Sequence, residues 1–207
     1  MPFYEDTIPQ KAFPPQFSPF IQQPEYLCNH GMRKLRTHEL ARKSVEQFKS
    51  SKKSPIVVVL DNIRSMNNVG SIFRTSDAFM VEKLYLCGFT GTPPHREITK
   101  TAIGAENSVE WEYVESTEEV VERLKKEGYH VVALEQTDAS DNLNDCTLDF
   151  KPVAFILGNE IDGVSQTVIN KCDRCVEIPQ LGTKHSFNVA VSYGMLLWDY
   201  AKTNKLF

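Results

Sequence analysis

Residues 178–200 read IPQLGTKHSFNVAVSYGMLLWDY, which joins the end of an apolar strand to a polar loop and then to a largely apolar helix. The loop is crowded with a glycine and hydrogen-bonding groups, which are Gly182, Lys184, His185, Ser186 and Asn188. A loop of this kind, fixed at both ends by apolar elements, can hold a ligand firmly. A simpler explanation stays open: Ser186 caps the N-terminus of the helix and has no further role.

Upstream of this segment, apolar runs of strand length alternate with helical patterns. Residues 56–60 read IVVVL, a continuous apolar run that is typical of a parallel strand covered on both faces. The other predicted strands cover residues 83–87, 109–114, 129–134, 153–157 and 175–178. The predicted helices cover residues 116–127 and residues 69–80, the latter with inner positions Ile72, Phe73, Ala78 and Phe79. The alternation predicts an α/β fold, with a parallel sheet and helices on both faces.

Composition divides the 207 residues into three parts. Residues 1–31 contain five prolines between positions 9 and 24, which excludes a regular helix there and predicts an extended or disordered arm. Residues 32–54 are a basic segment, in which we predict a helix from Thr37, its possible N-cap, to about Lys49. The predicted inner face of this helix consists of Leu40, Val45 and Phe48. Residues 55–207 form the predicted α/β domain.

Charge is unevenly distributed along the chain. The whole sequence has a net charge of −4, but residues 33–53 hold eight basic residues against only Glu39 and Glu46. This segment therefore carries +6 and the rest of the chain carries −10. Such asymmetry fits an acidic body that contacts RNA phosphates through one basic element. A solvated helix face has the same composition, so the sequence leaves both explanations open.

Cysteine usage and hydropathy argue against a disulfide-rich, zinc-binding, secreted or membrane protein. The five cysteines are odd in number and scattered, which indicates reduced thiols rather than a disulfide framework. Cys172 and Cys175 form one CxxC pair, and no second pair of zinc ligands stands at a suitable spacing, so we expect no metal site. No apolar run reaches ~18 residues and no secretory signal is visible, so we expect a cytoplasmic protein that does not enter a membrane.

Two further segments have the composition of ligand-binding loops. Residues 68–74 read NVGSIFR and follow the first predicted strand, while residues 157–165 read LGNEIDGVS and follow a later one. Loops at the carboxyl ends of parallel strands are where open α/β sheets bind ligands. Gly70 allows a neighbouring backbone to pass close by. Each segment alone is also compatible with an ordinary structural loop.

The ordered pattern NxGxxxR, GNExxG and IPxxGxxxSxN resembles the three motifs of the SpoU (TrmH-type) branch of the SPOUT RNA methyltransferases. The resemblance covers residues 55–200 approximately. It also includes PPHREITKTAIGAE at residues 93–106, whose His95, Arg96 and Lys100 either face RNA or belong to an ordinary polar loop. The family implies a C-terminal trefoil knot, a rare feature that no periodicity in the sequence indicates.

The resemblance implies that the chain binds S-adenosylmethionine in a bent pose, mostly through backbone groups of the knot. Motif position assigns cofactor binding to Leu134, Gly158, Ile178, Leu181 and Phe187. A homodimer through the knot region is also implied, although the apolar final helix is equally explained by core packing within one chain. No GxGxxG pattern occurs, which argues against another class, the Rossmann-like proteins that bind NAD or ATP.

The implied reaction is methyl transfer to a ribose 2′-hydroxyl of tRNA or rRNA. Motif position places five residues at the active site, namely Asn68, Arg74, Glu160, Ser186 and Asn188. Because a guanidinium group stays protonated in proteins, we expect Arg74 to contact the hydroxyl and a neighbouring phosphate rather than act as a base. The alternative is a catalytically inactive RNA-binding member of the same fold. The motifs assign no role to Lys184 or His185.

Overall fold

The computed structural model describes residues 32–207, so the predicted arm over residues 1–31 lies outside the described residues. The chain separates into two units, Met1–Ala41 and Arg42–Phe207. Their boundary falls inside residues 32–54, which by composition are one basic segment. Within the described residues, no helix combines the length and the apolar character that crossing a membrane requires.

The described part of the first unit contains a short 3-10 helix, Thr37–Leu40, with Arg36 as its N-cap. The Arg33 guanidinium donates hydrogen bonds of 3.0 and 2.6 Å to the Glu39 carboxylate. Glu39 also accepts a hydrogen bond of 2.7 Å from the Arg36 backbone amide. The helix ends at Ala41, whose φ of 46° lies in the left-handed region.

The prediction of one continuous helix over residues 37–49 is wrong. A separate helix, α1 (Val45–Ser50), follows in the second unit, and its N-cap is Ser44. The Ser44 hydroxyl accepts from Gln47 N at 3.2 Å, and the Gln47 side chain accepts from Ser44 N at 2.9 Å. This capping box starts a new helix, and its Ser-x-x-Gln signature is visible in the sequence. Of the predicted inner positions one is buried, Phe48, and two are exposed, Leu40 and Val45.

The second unit is built on a seven-stranded sheet in which every neighbouring pair of strands is parallel. In chain order the strands are β1 (Ser54–Asp61), β2 (Val81–Cys87), β3 (Glu110–Val114), β4 (His130–Leu134), β5 (Asp141–Asn142), β6 (Val153–Leu157) and β7 (Arg174–Glu177). Their spatial order is β3-β2-β1-β6-β4-β7-β5. The six predicted strands are confirmed, and only the two-residue β5 carries no apolar pattern that predicts it.

Residues 42–207, all of which are described, contain one short 3-10 helix, Ala105–Asn107. Five α-helices follow α1. They are α2 (Met66–Ala78), α3 (Arg96–Ala102), α4 (Thr117–Lys126), α5 (Gln166–Ile169) and α6 (Val189–Thr203). The predicted start of α4 is confirmed, because the Ser116 hydroxyl accepts from Glu119 N at 3.3 Å. Ala78, a predicted inner position, is instead exposed at the last residue of α2.

Two hydrophobic cores cover the two faces of the sheet. Along β1, Ile56, Val58 and Leu60 belong to one core, while Val57 and Val59 belong to the other. This alternation explains why the strand is apolar at every position from Ile56 to Leu60. Helices α2, α3 and α6 contribute to the first core, and α4 and α5 contribute to the second. The predicted α/β fold with helices on both faces is therefore confirmed.

The register of the sheet brings four strand ends into one row. Leu60 of β1 pairs with Leu157 of β6, Leu157 pairs with Leu134 of β4, and Leu134 pairs with Val176 of β7. The loops that follow these residues therefore begin at the same edge of the sheet, although they are distant in the chain. The trefoil knot itself stays a prediction from the family resemblance.

Candidate active site

A cavity of about 430 Å³ lies at this edge, between the carboxyl ends of β4, β6 and β7 and the first turn of α6. Its volume is within the range of small-molecule sites, roughly 300–1,000 Å³. The residues that line it fall within four segments, 134–136, 157–163, 177–180 and 186–192. Two of the three motif segments, those after β6 and β7, thus contribute directly to its wall.

The turn after β6 lines the cavity and depends on two glycines for its tight shape. A side chain at Gly158 would place its Cβ 2.2 Å from Val164 N, so glycine is required there. Asn159 and Gly163 close the turn through two backbone hydrogen bonds of 3.0 Å. Gly163 has a φ of 70°, which also favours glycine. The two glycines therefore let the turn close tightly on itself and against Glu135, and residues 158–163 form one wall of the cavity.

Glu160 lies in the same turn, and its carboxylate is held by the loop after β1. Its Oε2 accepts from Arg64 N at 2.9 Å, and its Oε1 accepts from Ser65 N at 3.0 Å and from Asn68 Nδ2 at 2.8 Å. Partial burial acts to raise the pKa of Glu160, but the hydrogen bonds outweigh burial and hold the pKa below its ordinary value. The carboxylate is therefore charged and fixed in orientation at neutral pH.

Asn68 connects Glu160 to the third motif. It lies in the first turn of α2, and its Nδ2 donates to Glu160. Its Oδ1 accepts from Asn188 Nδ2 at 3.1 Å. The Asn188 Oδ1 in turn accepts from two backbone amides in the first turn of α6, at 3.0 and 3.3 Å. We call Asn188, Asn68 and Glu160 the polar network.

The polar network has a single donor-to-acceptor direction. The helix amides at one end can only donate and the carboxylate at the other end can only accept, so each asparagine amide has one orientation that satisfies both neighbours. Asn188 rather than Ser186 is therefore the N-cap of α6. Its Oδ1 caps the helix while its Nδ2 joins the network, so capping and a site role are compatible. Ser186 lines the cavity.

Three of the predicted site residues do not line the cavity, namely Asn68, Arg74 and Leu181. Asn68 is connected to the cavity through Glu160 and Asn188, which do line it. Arg74 is six residues beyond Asn68 on α2, about 9 Å along the helix axis, and its exposed side chain does not line the cavity. Leu181 is fully exposed and does not line it either. Their roles toward RNA and cofactor stay predictions. The other predicted cofactor-binding residues line the cavity, and these are Leu134, Gly158, Ile178 and Phe187.

Two asparagines to which motif position assigned no role hold the loops together. Asn159 Nδ2 donates to the Asn62 carbonyl at 2.7 Å, and its Oδ1 accepts from Ile161 N at 2.8 Å. Asn62 has a φ of 58°, and its Oδ1 accepts from Phe89 N at 3.1 Å. Asparagine tolerates left-handed backbone and bonds to nearby peptide groups. An asparagine at a strand end or beside a turn glycine is therefore the signal that points to both residues.

The loop after β7 is held through its backbone. The His185 carbonyl accepts from Gln136 Nε2 at 3.0 Å and from Gln180 Nε2 at 3.3 Å. Both glutamines line the cavity, so they join its wall at β4 to its wall in the third motif. His185 thus has a structural role through its carbonyl group. The side chains of His185 and Lys184 are exposed.

The CxxC pair has the environment of structural thiols. Burial raises the pKa of the Cys172 thiol to about 12, and burial also raises the pKa of Cys175. Both thiols are therefore protonated at neutral pH, as is usual for cysteines in apolar surroundings. Among residues 32–207, no group of three or more His, Cys, Asp and Glu side chains is arranged to hold a metal ion.

The fold and the motif geometry agree with a known class of protein. The family model described as the SpoU rRNA methylase family matches residues 55–198, which is more than half of the chain. The chain therefore belongs to the SpoU rRNA methylase family. The resemblance expected from the three sequence motifs is confirmed.

Within this family the chain is similar to proteins that modify rRNA or tRNA. It is 32% identical to the 23S rRNA (guanosine-2'-O-)-methyltransferase RlmB of Neisseria meningitidis, over 69% of this chain and 56% of that protein. It is 29% identical to the tRNA (guanosine(18)-2'-O)-methyltransferase of Aquifex aeolicus, over 76% of this chain and 74% of that protein. The chain thus spans between 56% and 74% of the length of these two curated relatives.

Solved structures show the same architecture. The A. aeolicus TrmH/SpoU tRNA modifying enzyme has a TM-score of 0.69 and 26% identity, covering 78% of this chain and 81% of that one. The AdoMet-bound rRNA methyltransferase from Sinorhizobium meliloti has a TM-score of 0.67 and 26% identity, covering 73% of this chain and 57% of that one. Both likenesses support the α/β fold class predicted from the sequence.

Proposed function

We propose that this chain transfers a methyl group from S-adenosylmethionine to a ribose 2′-hydroxyl of tRNA or rRNA. The observation that carries the proposal is the polar network, which joins all three family motifs beside one cavity. The names of the relatives support the reaction, since both are 2'-O-methyltransferases. The S. meliloti structure supports the cofactor, since that protein is AdoMet-bound.

The cavity suits this cofactor in size, apolar lining and charge. S-adenosylmethionine supplies a methyl group on a positively charged sulfonium. In this proposal the cofactor contacts peptide groups of residues 158–163, which line the cavity, and Leu134, Ile178 and Phe187 offer apolar surface for its adenine ring. No Lys, Arg or His is among the residues that line the cavity, all of which are described. The lining instead includes four acidic residues, Glu135, Glu160, Asp162 and Glu177. We propose that Leu181 contributes through its backbone.

We assign the polar network to positioning of the ribose. Because the pKa of Glu160 is held below its ordinary value, its carboxylate is a weak proton acceptor at neutral pH. It therefore suits a hydrogen bond to the substrate hydroxyl better than removal of its proton. Ser186, on the cavity wall, offers a hydroxyl that can donate to the developing alkoxide. Holding the hydroxyl in line with the methyl group is the main requirement of the reaction.

Exposed basic side chains supply the contact with RNA in this proposal. Arg74 faces solvent on α2, where its guanidinium can form a bidentate contact with a phosphate. A second group surrounds α1, and its exposed members are Arg42, Lys43, Lys49 and Lys52. Neutralisation of RNA phosphates by these residues would make binding weaken as salt rises. A cytoplasmic location belongs to the same proposal, because its tRNA or rRNA substrates are found there.

We also propose that the chain forms a homodimer through α6. Val191, Met195 and Trp198 stand at helical spacing on one face of this helix and are 50, 40 and 58% exposed. The opposite face of α6, which includes Leu196 and Tyr200, is buried in the first core. An apolar stripe left open on a helix that is otherwise packed is typical of an interface. A second copy of the chain is the partner that the family resemblance implies.

Calorimetry and methyl transfer test the proposed function together. We expect the purified chain to bind S-adenosylmethionine and to transfer labelled methyl groups to tRNA or rRNA from cells that lack the gene. The label should appear in dinucleotides that resist alkaline hydrolysis, because a methylated 2′-oxygen cannot attack the adjacent phosphate. RNA binding without cofactor binding or methyl transfer would instead identify a catalytically inactive RNA-binding member of the family.

A further inference from the structure

Glu135 follows the last residue of β4 and lies half-buried on the wall of the cavity. Its Oε2 accepts from Val164 N at 2.8 Å, and its Oε1 accepts from the adjacent Gln136 N at 2.9 Å. The first of these bonds joins β4 to the turn after β6. None of the three family motifs in this sequence contains Glu135, so motif reading assigns it no role.

Gly163 leaves the space that this carboxylate occupies. A Cβ at Gly163 would stand 2.3 Å from Glu135 Oε2, so a side chain there would displace the carboxylate. The next amide along the turn, Ser165 N, donates to Asp61 Oδ2 at 3.0 Å. Carboxylates at the ends of β4 and β1 therefore hold the consecutive amides of Val164 and Ser165. The turn that forms one cavity wall is fixed to the sheet on both sides.

We propose that Glu135 is a positioning residue for the cofactor, and that it acts through the Val164 amide. This inference rests on the proposed function, because it concerns the same cavity. The bond holds the turn of residues 158–163, one wall of the cavity, against Leu134 and Gln136 on another wall. Hydrogen bonds to a charged acceptor are stronger than those to a neutral one, so a carboxylate suits this task. Without the bond, the two walls are free to separate, and the cavity that binds the cofactor no longer has a fixed shape.

Two conservative substitutions separate the effect of side-chain length at Glu135 from the effect of its charge. Glu135→Asp keeps the negative charge but is one methylene shorter, so its carboxylate does not reach Val164 N from the same backbone. Glu135→Gln removes the charge but keeps an oxygen acceptor at the original distance. Asp138→Ala is the matched control, because it removes an exposed carboxylate that does not line the cavity, three residues further along the chain.

The first measurement is amide hydrogen exchange of the protein without cofactor. We expect the amide of Val164 to exchange roughly tenfold faster in Glu135→Asp, since the bond that protects it is lost. Glu135→Gln and Asp138→Ala should stay within about threefold of the unmodified protein. Unchanged exchange in Glu135→Asp would overturn the inference. This measurement does not depend on cofactor binding, so it tests the bond between Glu135 and Val164 even if the proposed function is wrong.

The second measurement is cofactor affinity together with turnover. We expect Glu135→Asp to raise the Kd for S-adenosylmethionine about tenfold, while kcat at saturating cofactor changes by less than about threefold. Glu135→Gln should restore most of the affinity. The reverse order, with normal affinity in Glu135→Asp and weak affinity in Glu135→Gln, would show that the charge acts on the cofactor directly and would overturn the positioning role. A protein that binds no S-adenosylmethionine before substitution contradicts the proposed function instead.

Discussion

Asn68 bonds to two different loops through the two ends of one side-chain amide. Glu160 keeps two backbone donors without it, and Asn188 keeps its two helix amides. A neutral hydrogen bond contributes about 0.5–1.5 kcal/mol net, and one to a charged group about 1.5–3 kcal/mol. Loss of Asn68 should therefore leave the fold intact while it frees the two loops from each other.

Replacement of Asn68 tests the polar network at the scale of one residue. We expect Asn68→Ala to lower the free energy of unfolding by about 1–2 kcal/mol and the rate of methyl transfer by about a hundredfold, since small misplacements of reacting groups have effects of that size. Urea unfolding and single-turnover transfer measure the two quantities. Asn67→Ala is the control, because Asn67 is the exposed neighbour on the same helix. A normal transfer rate in Asn68→Ala would exclude the positioning role of the network.

Glu160 predicts a dependence of stability on pH. Its pKa is lower in the folded protein than in the unfolded chain, so its contribution is present above the ordinary glutamate pKa of ~4.3 and disappears as the pH falls through the folded value. We expect the unmodified protein to be more stable than Glu160→Gln at pH 7, and the difference to shrink below about pH 4. Chemical denaturation at several pH values measures this difference. Asp162→Asn, which removes an exposed charge from the same turn, should show no such trend.

At the scale of elements, the local hydrophobic pattern predicted six of the seven strands of the sheet correctly, but it did not predict the helices of the basic segment. Residues 153–157 were predicted as a strand and form β6 with the same ends, because the buried central strand is apolar throughout. The helix expected over residues 37–49 is instead a 3-10 helix and α1, because the capping box at Ser44 outweighs a weak apolar pattern. In the basic segment, the capping signature therefore indicates the start of the helix better than the spacing of apolar residues does.

Helix α2 packs so closely on α3 that Gly70 has no room for a side chain. A Cβ there would lie 2.1 Å from Thr101 Oγ1 and 2.3 Å from the Ile98 carbonyl oxygen. The sequence predicts a close approach at this glycine, but it does not identify α3 as the neighbour. The backbone carbonyl cannot move as freely as a side-chain tip, so a larger residue must separate the two helices.

Substitution of Gly70 tests this contact. We expect Gly70→Ala to destabilise the fold by about 1–3 kcal/mol, because overpacking exceeds the gain of up to about 1 kcal/mol in helix propensity. Equilibrium unfolding in urea measures the change. Ser71→Ala, the next residue on α2, adds no atoms and should stay within about 0.5 kcal/mol. Equal stability of the two variants would mean that α3 moves away from α2 without a loss in the free energy of unfolding.

At the scale of the molecule, the exposed stripe on α6 predicts oligomeric state. The chain has a mass of 23.6 kDa, and we expect light scattering after gel filtration to give twice that value. Trp198→Glu should shift the mass to that of a monomer, because it places a charge in the centre of an apolar interface. Tyr113→Glu, at an exposed aromatic on edge strand β3, is the control and should leave the dimer intact. A monomeric mass before any substitution would exclude the proposed homodimer.

The candidate site was predictable only in part from the residues of the three motifs. Motif reading selected Asn68, Glu160 and Asn188, and the structure joins them by hydrogen bonds across 92 and 120 residues of chain. It also selected Arg74 and Leu181, which the structure places away from the cavity wall. Motif spacing specifies which residues belong to a loop, whereas it does not specify which way each residue faces.

From the sequence alone, patterns of neighbouring residues predicted a parallel α/β sheet, and the resemblance of three ordered motifs to a known family indicated the class of protein. The tertiary structure decided which polar groups meet. Strand β6 lies between β1 and β4, so the turn after β6 is held by the loop after β1 and by Glu135 at the end of β4. That insertion depends on how the two cores cover both faces of the sheet together, and no local pattern of residues encodes it.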